Sequence, residues 1–252
     1  MLSLTLPQVR GDRPRIRGDR MDEPTDPLPR QLALTALTTE HFVLQSARLG
    51  TISEANGRSS LYLGTLSSAT IAVAFIGQAN DLGDTFYLFA LTLLPPVFML
   101  GIFTFLRLVQ TGIEDYVYAI GSLRIREYFL RLDPEAAPYF LPTDAAGIKR
   151  LQRMGMIPTS SFQGLLTVAS MVACINAIVG GVTIALAVRS LLDASARVAG
   201  LTGALSAILF AGLFLLYGIR SFKRAAAVVP ELYDWEGSGI VEWSAVVGGK
   251  DR

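Results

Sequence analysis

Asn176 is the most polar side chain inside any long apolar run of this 252-residue chain. A carboxamide in hydrocarbon must find partners, because an unpaired polar group there costs on the order of several kcal/mol. Two uses fit it: a hydrogen bond across helices, or one wall of a polar pathway. Pro95-Pro96 interrupts a second apolar run. Each proline removes an amide donor and crowds the preceding turn, so the pair marks either a static bend or a hinge. Glu40-His41 holds the single histidine. Imidazole titrates near neutrality, which suits pH sensing. Neighbouring residues on a helix do not face each other, however, so packing is the competing reading.

Other chemistry is excluded more firmly. Cys174 is the only cysteine and rules out an internal disulfide or a Cys-based metal cluster. Asp81 and Asp84 flank a short turn and fall short of the six or more oxygens that calcium prefers. No nucleophile elbow, phosphate loop, dinucleotide glycine pattern or zinc-protease helix occurs. A net charge of +1 provides no basic footprint for nucleic acid. No enzyme, cofactor or metal is expected.

The elements that must carry these residues are four apolar runs: Leu61–Ala79, Thr85–Leu106, Gly164–Val188 and Val198–Ile219. None contains Lys, Arg, Asp or Glu, and each approaches the roughly 20 residues needed to cross a bilayer. The composition agrees, being 51% hydrophobic and 17% charged, where about 25% charged is ordinary for a soluble domain. The expected fold is therefore all-α, a four-transmembrane-helix membrane protein with long cytoplasmic helical extensions of helices 1 and 2.

Orientation follows from Lys and Arg. The turn between spans one and two has none, and that between spans three and four has Arg189 and Arg197. Arg48, Arg58, Arg107, Arg124, Lys149, Arg150, Arg153, Arg220, Lys223 and Arg224 lie on the other side. The positive-inside rule then puts both termini and the central segment in the cytoplasm. Tyr62, Phe162, Tyr217 and Phe222 are expected as inner-interface aromatics. Arg124 and Arg126, and separately Arg220, Lys223 and Arg224, are placed to contact anionic lipid headgroups.

The chain divides into a disordered tail (1–37), a helical hairpin (38–132), a cytoplasmic connection (133–162) with one short helix around Asp144–Met154, a second transmembrane hairpin (163–224) and a C-terminal tail (225–252). The Arg-Gly-Asp-Arg repeats at 10–13 and 17–20 read as basic tail, and Met21 is an alternative start. Thr38 or Thr39 is the expected cap of the first helix. Below the spans, the Ile113/Val117/Ile120 stripe is expected to bury the stripe around Phe42, Leu49 and Ile52. Arg189, Asp193 and Arg197, four residues apart, suit salt bridges on a helical cap. Helix four carries small residues at Gly200, Gly203, Ala207 and Ala211, spacing that lets helices approach closely in lipid.

The runs Thr39-Glu40-His41-Phe42, Ser53-Glu54-Ala55-Asn56-Gly57-Arg58 and Arg126-Glu127-Tyr128-Phe129 resemble a group of uncharacterised bacterial four-span integral membrane proteins. The resemblance covers about residues 38–132 and implies the bacterial inner membrane, without an activity. The resulting expectation is an oligomeric scaffold or sensor that presents cytoplasmic helices to a protein partner. The alternative is an oligomeric channel or transporter with a pathway near Pro95, Pro96 and Asn176.

Overall fold

A computed structural model describes residues 27–141, 145–154 and 167–232. The described residues are helical apart from their connections: α1 (Pro27–Ala79), α2 (Asp84–Leu132), a 3-10 segment (Pro134–Tyr139), α3 (Ala145–Arg153), α4 (Val168–Leu191) and α5 (Ala196–Leu232). Four of them, α1, α2, α4 and α5, are long and apolar enough to cross a membrane.

Several boundaries differ from the sequence expectation. Helix α1 begins at Pro27 rather than near Thr38. Pro27 and Pro29 fall in its first turn, where amides lack intrahelical acceptors and proline costs nothing. Thr38 and Thr39 are therefore not caps; their hydroxyls bond back to the carbonyls of Leu34 and Thr35. Helix α5 runs on to Leu232, so residues 225–232 are helix and not tail. Residues 164–166, expected in the third span, lie outside the described residues, and Thr167 caps α4 by accepting from the Ser170 amide at 3.2 Å. The short helix expected near Asp144–Met154 is α3. Phe162 and the tails 1–26 and 233–252, with the Arg-Gly-Asp-Arg repeats, also lie outside the described residues.

The connections are tight. Between α1 and α2, Asp81 (φ 48°) and Leu82 (φ 58°) adopt left-handed backbone. That reverses the chain and lets the Leu82 amide reach the Gly77 carbonyl at 3.2 Å. Leu82 also lies against Gly77, where a Cβ would meet its Cδ2 at 3.2 Å. Such a closure satisfies carbonyls that the helix end would otherwise leave orphaned. Between α4 and α5, Asp193 (φ 45°) breaks the helix. The expected i, i+4 ladder with Arg189 and Arg197 is thereby lost, and Arg189 donates instead to the Ala194 carbonyl at 2.7 Å.

Packing is densest where side chains vanish. On α4, a Cβ on Gly181 would lie 2.5 Å from the Gly203 carbonyl oxygen and 2.7 Å from Ala207 Cβ, both on α5. A Cβ on Gly203 would meet Ala185 at 2.7 Å. Gly180 admits the rings of Phe98 and Phe210, which pack at 5.0 Å between centroids. Phe105 of α2 meets Phe214 at 4.9 Å. Offset and edge-on rings of this kind add about 0.5–1.5 kcal/mol beyond their buried area. Helix α1 joins this core through Tyr62 and Ala69, which cluster with Val97, Leu108 and Val172.

The face that α1 turns inward is not the expected one. Phe42, Leu49 and Ile52 are 69%, 69% and 52% exposed. Thr51, Ser59 and Tyr62 are buried instead. Polar pairing with α2 sets this rotation, because Arg48 and Glu54 both reach partners there.

Candidate functional site

Two polar constellations lie on α1, α2 and α4, one inside the apolar layer and one just beyond it. At the inner one, Asn176 is fully buried. Its Oδ1 accepts from the Tyr62 hydroxyl at 3.1 Å, and its Nδ2 donates to the Phe98 carbonyl at 3.2 Å. One side chain thus ties α4 to both α1 and α2. Gly101 makes room for it: a Cβ there would fall 2.0 Å from Asn176 Oδ1. Tyr62 was expected at the headgroup level and is instead enclosed, because its hydroxyl finds an acceptor inside the bundle.

Pro95 and Pro96 lie within α2, which remains helical through them. The carbonyls of Leu91 and Thr92 lose their usual amide donors at that point. Pro95 is half-buried and Pro96 exposed. The Asn176 bond to Phe98 comes just after this weakened turn. The structure therefore brings Asn176 close in sequence register to the proline pair, with Tyr62 and Gly101 as members that spacing did not reveal. The available signal was the coincidence of a tyrosine, an asparagine and a glycine in three separate apolar runs.

The outer constellation is ionic. Arg107 grips Glu54 with two nitrogens, Nε to Oε1 at 2.8 Å and Nη2 to Oε2 at 3.0 Å. Arg58 adds a third bond to Glu54 at 2.8 Å, and Arg107 also reaches Glu114 at 3.0 Å. Two turns further along α1, Arg48 forks onto Asp115 at 2.9 and 3.3 Å. Paired parallel donors of this kind fix geometry as well as charge. Hydrogen bonding from Arg107, then from Arg58, holds the Glu54 carboxyl near pH 2, well below its ordinary 4.5. Reciprocally, bonding to Glu54 pushes the Arg107 guanidinium upward. Every acid here is already held by an arginine, so the group braces two helices and offers no free base.

His41 stands apart from both. Its Nδ1 is buried and without a hydrogen-bond partner among the described residues, as is Ser122 Oγ on α2. Among the described residues no group of His, Cys, Asp and Glu is arranged to hold a metal. Arg220, Lys223 and Arg224 are exposed on the last turns of α5, whereas Arg124 and Arg126 are half-buried on α2. Of the small residues on α5, Gly203 and Ala207 contact α4, while Gly200 has nothing within 4 Å of where a Cβ would stand. The chain matches no family model, no curated protein and no solved structure.

Proposed function

We propose that this chain is a non-enzymatic, multi-pass protein of the bacterial inner membrane, a scaffold or sensor that displays the extensions of α1 and α2 to a cytoplasmic protein. One observation carries the reading: beyond the apolar stretches these two helices continue, cross-braced by the Glu54–Arg107 and Arg48–Asp115 pairs. A helix pair in water needs such a brace to hold a defined surface, because helical propensity alone is marginal. Tyr128 and Arg131 lie on the exposed part of that surface. Basic residues concentrated at one end of the spans support cytoplasmic termini. Arg220, Lys223 and Arg224 are placed for anionic headgroups, about 1 kcal/mol each near a charged surface. His41, whose buried Nδ1 has no partner among the described residues, is the candidate sensing residue of the sensor version.

The test is site-specific. A photo-crosslinker at Tyr128 should yield a discrete protein adduct. Arg48→Asp, which sets two carboxylates against each other, should weaken that adduct, and Arg48→Asp with Asp115→Arg should restore it. Capture indifferent to the brace counts against the reading. Reporter fusions after Ala79 and Arg189 should face the periplasm. The pathway alternative finds no support in Asn176, whose polar atoms are both engaged within the chain. Ion flux through reconstituted liposomes that disappears with Asn176→Leu would reinstate it.

A further inference from the structure

We infer that the outward face of α1 is the surface on which a second copy of this chain docks, parallel and in register about a two-fold axis. The inference deepens the membrane-scaffold reading above and rests on it.

The pattern lies along one stripe. Ser46, Ser53, Ser60 and Ser67 recur at every seventh residue, with Ala74 next in the series. Gly50, Gly57 and Gly64 recur at every seventh residue between them, followed by Ile71. The alternating steps of three and four are those of a heptad seam, with small residues at both core positions. A sustained seven-residue repeat keeps one face turned to a partner through a left-handed supercoil. Small side chains at such positions allow backbones to approach closely in lipid.

Among the described residues nothing fills this seam. Every one of these residues is exposed, and Gly50, Gly57 and Gly64 have nothing within 4 Å of where a Cβ would stand. Gly57, Ser60 and Gly64 of the seam, with Leu61, Thr65 and Ser68, also form one wall of an apolar groove of about 790 Å³ whose other wall is Phe89, Leu93 and Val97 of α2. Lipid could fill the upper part. It cannot cover Phe42, Val43 and Leu49, which lie on the same side beyond the apolar run and are 69%, 54% and 69% exposed. Apolar surface of that kind in water marks a protein contact.

The occupant follows from geometry. All copies insert in the same orientation, so a symmetric pair has its axis normal to the membrane and its α1 helices parallel. Each glycine then meets its own counterpart, and a two-fold contact demands that self-complementarity. No like charges collide. The seam has none, and Glu54, the one charged residue flanking it, is neutralised by Arg107 and Arg58 of its own chain. From Phe42 to Phe75 the seam runs about 50 Å, and a helix 10–12 Å wide gives about 1,000 Å² over both copies. That meets the area a specific contact requires when the fit is close.

Disulfide trapping in native membranes tests this, using the full chain with Cys174→Ser. Single substitutions Ser53→Cys, Gly57→Cys, Ser60→Cys and Gly64→Cys should give strong covalent dimers. Leu209→Cys, on α5, should give little. In detergent or nanodiscs, Gly57→Leu should weaken the dimer at least tenfold without lowering the melting temperature of the monomer, because a Cβ there has no described atom within 4 Å and leucine is the better helix former. Trapping that is flat along α1, or strongest on α5, overturns the inference, as does a monomeric particle mass. Lipid in the groove would appear as that monomer, and an unrelated helix as a heavier particle without trapped homodimer; either overturns it. Resistance to carbonate extraction is scored in parallel: protein that stays in the membrane without trapping sinks only the α1 contact, whereas protein that washes off sinks the membrane reading too.

Discussion

Helices α4 and α5 meet through the same kind of residue that α1 leaves open. Gly181 and Gly203 are filled by each other's backbone, while Gly57 and Gly64 face empty space. Sequence spacing of small residues therefore says that a helix can be approached closely, and only the surrounding chain says by what. Helix α5 spends its Gly203/Ala207 stripe on the neighbour to which a short turn ties it. Helix α1 is rotated by its charge pairs with α2, and Gly50, Gly57 and Gly64 are left with no described atom within 4 Å of where a Cβ would stand.

Placing one bulky residue on each side tests this contrast most directly. Gly181→Leu should cost more than the roughly 1–3 kcal/mol of ordinary overpacking, since its first added atom already lies 2.5 Å from a backbone oxygen. The detergent-solubilised protein should melt far lower or fail to fold. If Gly181→Leu melts like the native chain, the α4–α5 contact is not close-packed. The next effect down is at the three-helix node. Asn176→Leu strands the Tyr62 hydroxyl and should destabilise by about 1–3 kcal/mol, whereas Tyr62→Phe should cost about 1 kcal/mol. Equal costs for the two would mean that Phe98 gains nothing from the carboxamide.

Acid should loosen the α1–α2 brace before it touches the α4–α5 pair. The folded-state value of Glu54 is about 2 against an ordinary 4.5. Its contribution is complete above about pH 4.5 and disappears as pH falls towards 2. Melting temperature should decline across that window in the native chain and less steeply in Glu54→Gln. Smallest of all is the Arg48–Asp115 pair, each side chain about one-third exposed. A double-mutant cycle to alanine should yield a coupling of about 0.2–1 kcal/mol, decreasing with salt.

Legibility differed by element. The four apolar runs were readable because length and the absence of charge are local properties. The helix starts were less so: residues up to 37 were expected as disordered tail, yet Pro27 and Pro29 fit a first turn, whose amides have no acceptor to lose. Rotation of α1 could not be read at all. Phe42, Leu49 and Ile52 form the more apolar stripe, and hydrophobicity alone would have buried them. Charge pairing beyond the apolar layer buried Thr51 and Ser59 in their place. Asn176 was legible as a group requiring partners. Tyr62, the Phe98 carbonyl and Gly101 were not, since they lie in other helices.

From its amino acids alone, the chain determined four uncharged stretches long enough for a bilayer, the basic bias of one side, and an asparagine that hydrocarbon would not tolerate unpaired. Those are properties of single segments. Which carbonyl Asn176 takes, which glycines are filled and which face of α1 is left bare depend on distances between segments remote in sequence. Only the tertiary structure decided these, because a helix carries its composition everywhere but acquires an inside and an outside from its neighbours.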